Sequence, residues 1–282
     1  MTAPSVPAAA DGGEGAAAPA VGQADLARRF GGMDRLYGIG GADAVRRAHV
    51  VVVGIGGVGS WTAEALARSG VGTLTLVDLD HVAESNINRQ IHALDATVGQ
   101  AKVLAMQARI AQINAACRVI PVDDFVTPDN WLAVLAQAEA AAGSVSAVID
   151  ACDQMAAKTA MAAWALARRR SVGFVTVGAA GGKRHAHKVE VDDVARATHD
   201  PLMAQLRQRL RKHHGAPKDG KPIGLNCVFS REPVAPPDAS CAMDGDGSLN
   251  CHGYGSMVSV TATFGLCAAG WVIDQISQKS TL

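Results

Sequence analysis

Val50-Val-Val-Val53 running directly into Gly54-Ile-Gly56-Gly57-Val-Gly59 is the passage on which the reading of the fold turns. An unbroken β-branched run suits a strand buried on both faces, as in a parallel sheet. Glycines after such a strand permit a tight turn, let the backbone approach a phosphate and allow close helix–strand packing. The helix expected next, over residues 60–69, would offer free N–H groups and a positive dipole end to an anion. A second strand over residues 74–77 ends at Asp78, about 20 residues further on, where a carboxylate can accept both ribose hydroxyls. Taken alone, these features suit a mononucleotide as well as a dinucleotide.

Strands and helices continue to alternate away from this turn. Residues 102–114 have helical period, with Val103, Met106, Ile110 and Ile113 on one side. Residues 119–122, 148–149 and 172–177 read as short strands, and Asp153 is a candidate N-cap for a helix through Trp164 to about residue 169. Repeated β-α units imply an α/β fold: a Rossmann-like, doubly wound, mostly parallel sheet with a smaller C-terminal extension. Residues 1–24 are Ala-, Gly- and Pro-rich and are expected to be a disordered tail. A short helix should begin near Asp25, residues 25–182 should form the nucleotide-binding domain, and residues 183–282 should form a region for substrate binding and dimerisation.

The 282 residues carry 26 basic and 26 acidic side chains, so no global field points to nucleic acid and any such surface must be local. Six cysteines without a close CxxC pair, behind an N-terminus with no basic and apolar leader pattern, suggest a reducing, cytoplasmic setting. The missing CxxC pairs also argue against a four-cysteine zinc site.

The loop leaving the second strand separates the nucleotide classes. Asp78-Leu-Asp80 is followed by Ser85-Asn86-Ile-Asn88-Arg89-Gln90, and Lys102 opens the next helix. Amides, a hydroxyl, a guanidinium and an ammonium are more than a nicotinamide enzyme needs there. They suit a triphosphate whose α-phosphate must be stabilised as it is attacked. Val148-Ile149-Asp150-Ala-Cys152-Asp153-Gln154 then places carboxylates at the end of a further strand, the edge where open α/β sheets bind ligands. A carboxylate facing a triphosphate is a natural Mg²⁺ ligand. Physical reasoning alone leaves Asp150 and Asp153 both open as that ligand, and reads Cys152 as packing rather than a nucleophile.

In this order the residues resemble the ThiF/MoeB/HesA family, bacterial relatives of ubiquitin-activating enzymes. The matching pieces are Arg35-Leu-Tyr, Gly54-Ile-Gly-Gly-Val-Gly59, Asp78-Leu-Asp80, Ser85-Asn-Ile-Asn-Arg89-Gln90, Lys102 and Asp153-Gln154. The resemblance implies ATP and Mg²⁺, adenylation of a carboxylate, and a homodimer. It would give the nucleotide Gly54, Gly56, Gly57, Gly59, Asp80, Ser85, Asn86 and Asn88, its ribose Asp78, its phosphates Arg89 and Lys102, and the metal Asp153. Arg35 would reach into the partner's site.

Beyond Gly182, a basic stretch and Asn250-Cys-His-Gly-Tyr-Gly-Ser256 are similar to a tRNA-modifying branch of that family. This similarity implies a tRNA whose threonyl carboxylate, on a modified adenosine, is activated by ATP and closed into a ring. Lys183, Arg184, His185, His187 and Lys188, with Arg207, Arg209, Arg211, Lys212, His213 and His214 on a helix expected over residues 201–213, would supply the cationic RNA surface. Residues 255–276 approach the length of a membrane span, yet Ser256, Ser259, Thr261, Thr263 and Asp274 within them favour a helix buried in the core or a dimer interface. Two other functions stay in view: activation of a ubiquitin-like sulfur carrier, with a sulfur-acceptor or desulfurase partner, and an NAD-dependent dehydrogenase.

Overall fold

The computed structural model describes residues 25–168, 171–218, 220–238, 240 and 254–279; the N-terminal tail expected over 1–24 and most of the 250–256 motif lie outside them. Seven strands form one sheet in the order β3-β2-β1-β4-β5-β7-β6. They are β1 (His49–Val53), β2 (Thr73–Val77), β3 (Arg118–Val122), β4 (Ala147–Asp150), β5 (Gly173–Val177), β6 (Val189–Asp193) and β7 (Asn226–Ser230). Every pairing is parallel except β6 with β7. The expected α/β, doubly wound, mostly parallel sheet is therefore observed, and the chain beyond Gly182 extends that same sheet. Strand order reverses between β1 and β4, which opens a crevice at the carboxyl ends of the strands.

Side-chain alternation along the strands builds two apolar layers, because successive residues face opposite sides. Val50, Val52, Leu74 and Leu76 pack into one layer with Leu66, Met106 and Phe264. Val51 and Val53 face the other, with Trp131, Met161 and Leu206. The first layer is covered by α1 (Leu26–Arg47), α2 (Gly59–Arg68), α3 (Lys102–Ile113) and α7 (Val258–Lys279); the second by α4 (Trp131–Ala142), α5 (Met155–Ala167) and α6 (Pro201–His213).

Two helices differ from expectation. α1 is capped by Asp25, whose Oδ1 accepts from the Arg28 amide at 2.9 Å, but it runs 22 residues with a break at Gly38, where φ is 72°. Its many glycines conceal the helical period. α5 starts at Met155 with Gln154 at the cap position and no side-chain cap bond, so Asp153 does not cap it.

The apolar segment near the C-terminus is a core helix. Phe264, Ala268 and Val272 of α7 are fully buried. Gly265 lies so close to α2 that an added Cβ would sit 2.5 Å from the Val58 carbonyl oxygen, and that backbone contact explains a glycine in mid-helix. Among the described residues, no helix is long and apolar enough to cross a membrane.

His92, between β2 and α3, is 1 % exposed, and neither ring nitrogen has a hydrogen-bond partner among the described residues. Burial, reinforced by the Lys102 and Arg109 cations, lowers its pKa to about 4. The unfolded chain takes up this proton near pH 6.5 and the folded chain only near 4, so stability falls as pH drops across that window. The loss expected from this group is on the order of 3 kcal/mol. Urea unfolding at pH 7, 6, 5 and 4.5 should show a flatter profile for His92→Phe than for the wild type; parallel profiles would refute this role.

Candidate active site

A cleft of about 500 Å³ lies along the carboxyl edge of β3, β2, β1, β4 and β5. One half sits over the glycine turn and the ends of β2 and β3. The other sits over the ends of β4 and β5 and is bounded by Pro201 and Leu202, the start of α6.

The glycine turn is shaped by backbone contact. Gly54 adopts φ 87°, and a Cβ on Gly59 would sit 1.7 Å from the Gly54 carbonyl oxygen, so α2 rests directly on the end of β1. Gly54, Gly56 and Gly57 line the cleft, whereas Gly59 serves this packing and does not. The amides of Gly56, Gly57 and Val58 have no acceptor among the described residues. Three unsatisfied N–H groups at the N-terminus of a helix form an anion cradle.

Asp78 closes this half. It is 8 % exposed; its Oδ2 accepts from the Ile55 amide at 2.6 Å and its Oδ1 from the Asp80 amide at 2.9 Å. Burial raises its pKa, while Lys102 and the two amides pull the other way. Lys102 is buried, and its Nζ reaches Asp80 Oδ2 at 2.7 Å. The cation sequence reasoning placed in the site is thus held at the cleft by a partly exposed carboxylate. Arg89 lays its aliphatic stem on Gly57, and its Nη1 donates to the Ser85 carbonyl at 2.5 Å and to Asn88 Oδ1 at 2.9 Å. Ser85 and Asn86 line the cleft. Asn88 does not; its amide donates instead to the Ser256 carbonyl at 2.9 Å. Gln90, the last residue of this motif, also lines the cleft, is buried, and has an Oε1 without a partner among the described residues.

The structure separates the two candidate metal ligands. Asp150 is fully buried and pairs with the equally buried Lys158, Oδ2 to Nζ at 2.8 Å. Thr176 Oγ1 donates to the same oxygen at 2.7 Å, and Cys152 Sγ lies 3.1 Å from Oδ1. Asp150 is consumed by structure. Asp153 is exposed, lines the cleft and has no hydrogen-bond or ion-pair partner among the described residues. Among those residues no cluster of three or more His, Cys, Asp or Glu could hold a metal ion. The donor set fits a hard ion held by one carboxylate plus phosphate oxygens and water. Burial, then the Asp150 carboxylate, pushes the Cys152 thiol well above the ordinary cysteine range, so it is no ready nucleophile.

Lys158 escaped the sequence reading, although one lysine in an otherwise apolar, Ala- and Met-rich helix was its signal. Its Nζ also donates to the Val177 carbonyl at 3.0 Å, tying the ends of β4 and β5 together beneath the loop that carries Asp153. Burial alone would lower its pKa, but Asp150 outweighs that and the group stays above the ordinary lysine range.

The cations expected to meet RNA are not all placed alike. Lys183 is 2 % exposed, with Nζ donating to the carbonyls of His199, Ser230 and Glu232, so it cannot meet RNA. Arg209 lies two positions from both Arg207 and Arg211 and so faces away from those two. Arg207 and Arg211 spend some of their donors on backbone carbonyls, at 2.9 and 3.0 Å. Arg35 is exposed on α1 and does not line its own chain's cleft, with Leu36 and Ile39 exposed beside it.

A parallel sheet with a phosphate cradle at its reversal point and a lone acid across the cleft is the architecture of a nucleotide-binding adenylation fold. A model of the ThiF family matches residues 32–282, and the chain belongs to that family. It is 45% identical over 262 residues to the tRNA threonylcarbamoyladenosine dehydratase of Escherichia coli (strain K12), covering 90% of this chain and 95% of that one. It is 37% identical over 256 residues to the same-named protein of Haemophilus influenzae, with the same coverage. The E. coli dehydratase TcdA solved in complex with ATP superposes with a TM-score of 0.78 at 43% identity, covering 92% of this chain and 98% of that one.

Replacing Lys158 with Met strands the Asp150 carboxylate in the interior, and the expected cost is about 3–5 kcal/mol. Denaturant midpoints measure it, and removing both charges in Asp150→Asn/Lys158→Met should recover part of the loss. A single-variant loss below about 1 kcal/mol would show that the pair does not hold this edge of the sheet.

Proposed function

We propose that this chain is an ATP-dependent tRNA-modifying enzyme that adenylates the threonyl carboxylate of threonylcarbamoyladenosine in tRNA and closes it into a ring. The observation that carries the reading is the cleft itself: unsatisfied glycine-turn amides, Arg89, Lys102 and an unpaired Asp153 line one cavity. The relatives similar to this chain over nine-tenths of its length bear the matching name. The molybdopterin-synthase adenylyltransferases match only about a third of it. That contrast, with the absence of any CxxC pair, favours tRNA over a sulfur carrier. A relative solved with ATP favours ATP over NAD.

The residues support a two-step reaction. The turn amides and Arg89 hold the phosphates, and Lys102 is placed to steady charge that builds on the α-phosphate as a carboxylate oxygen attacks it and pyrophosphate leaves. Mg²⁺, held by Asp153 and phosphate oxygens, would supply charge neutralisation there. A neighbouring nitrogen of the same nucleoside then attacks the acyl carbon, and AMP departs with the carboxylate oxygen. The net change is loss of water from the nucleoside. Because nucleophile and electrophile belong to one molecule, high effective molarity drives closure without a covalent enzyme intermediate, in keeping with a Cys152 thiol held protonated.

Arg35 can contribute only from a second copy, since it does not face its own cleft. Leu36 and Ile39, 72 % and 74 % exposed on the same helix, would be the apolar anchors of a homodimer that brings it there.

Mass analysis of tRNA nucleosides after incubation with ATP should show loss of one water with the wild type. Asp153→Ala should lower the rate by at least about 10²-fold while leaving thermal unfolding unchanged; a fully active variant refutes the metal role. Leu36→Glu/Ile39→Glu should sediment as a monomer and lose dehydration, whereas an active monomer would refute a contribution from Arg35 of a second copy.

A further inference from the structure

Outside the cleft, the described residues hold a second concavity, of about 360 Å³, on one side of α6. Four of its six lining residues are cations, Arg207, Arg211, Lys212 and Lys218, and none is acidic. A chain with no net charge has gathered them without pairing: none makes an ion pair among the described residues. Two of them are also fixed in place. Arg207 Nη1 donates to the carbonyls of Val194 and Ala197 at 2.9 Å each, and Arg211 Nε to that of Pro217 at 3.0 Å. Each guanidinium keeps further N–H donors beyond these bonds. A solvated arginine on an ordinary helix face is not pinned in this way.

Position along the helix matters as much as charge. α6 begins at Pro201 and Leu202, which border the half of the cleft over β4 and β5. The groove occupies its next turns, through Lys212. At about 1.5 Å per residue it runs from roughly 5 to 17 Å from Pro201.

We infer that this groove is an RNA-backbone track that takes the phosphates flanking the nucleotide held in the cleft. The inference rests on the tRNA reading above and adds where the rest of the substrate lies. Arg207 and Arg211 form the preorganised part, and the exposed Lys212 and Lys218 the unpinned part, of one phosphate-binding face. Such contacts set affinity and register without reading sequence. Arg209, which faces away from Arg207 and Arg211 and does not line the groove, takes no part.

The test uses full-length enzyme and tRNA bearing the modified adenosine. Lys212→Glu/Lys218→Glu alters two exposed side chains that have no bonding partner among the described residues. It should weaken tRNA binding by about tenfold or more at low salt and flatten the plot of log affinity against log salt by about one unit per lost contact. KM for ATP should not move. Arg209→Glu changes the charge on the same helix and should leave tRNA affinity as it was. The track is overturned if the double variant binds tRNA with wild-type affinity and salt slope, as for a groove that serves an acidic protein. It is equally overturned if Arg209→Glu weakens binding as much, since net charge rather than the groove would then be acting. Failure of the wild type to dehydrate tRNA would instead remove the tRNA reading itself, so the two failures are distinguishable.

Discussion

Backbone contact at the end of β1 is the constraint around which this molecule is arranged. With the position of a Gly59 Cβ only 1.7 Å from the Gly54 carbonyl oxygen, any side chain there would lift α2 off the sheet. The start of α2 is also held by Gly265 of α7, where an added Cβ would sit 2.5 Å from the Val58 carbonyl oxygen. The start of α2 is thereby clamped between a strand end and a core helix. Its unsatisfied amides stay aimed at one spot, which is what an anion cradle needs, because preorganised dipoles need not reorient when charge arrives.

A second clamp works across the cleft. Asp150 and Lys158 are both fully buried, and such a pair is a poor source of net stability, since desolvation offsets most of the attraction. Its value is positional. With Thr176 and the Val177 carbonyl it joins the ends of β4 and β5, and the following loop carries Asp153 into the cavity with its carboxylate free. The two carboxylates, three residues apart, have opposite fates: one is neutralised in the core and one is left for a ligand.

The cleft also joins two kinds of surface. Its glycine-turn half is compact, built from backbone and short side chains. Its other half opens on α6, where charge is spread along a helix. A compact cleft and a cation-lined helix side thus lie next to one another, although the chain as a whole carries no net charge.

The pattern of residues was enough for the parallel sheet, the nucleotide turn and most of the cleft. Those features depend on local chemistry: β-branched runs, glycine spacing, and acids or cations at strand ends. Gly54, Gly56, Gly57, Asp78, Asp80, Ser85, Asn86, Arg89, Lys102 and Asp153 all line the cavity for that reason. Only the fold shows that Asp150 is paired in the core while Asp153 lines the cleft, because that depends on Lys158, a partner on the next helix, and on Thr176 across the sheet. It also decided that Lys183 is buried, that Asn88 turns to Ser256, and that Arg207 and Arg209 face different ways. A string of letters records which charges a chain carries, but whether each is paired, buried or free depends on neighbours brought from distant positions, and only the assembled core supplies them.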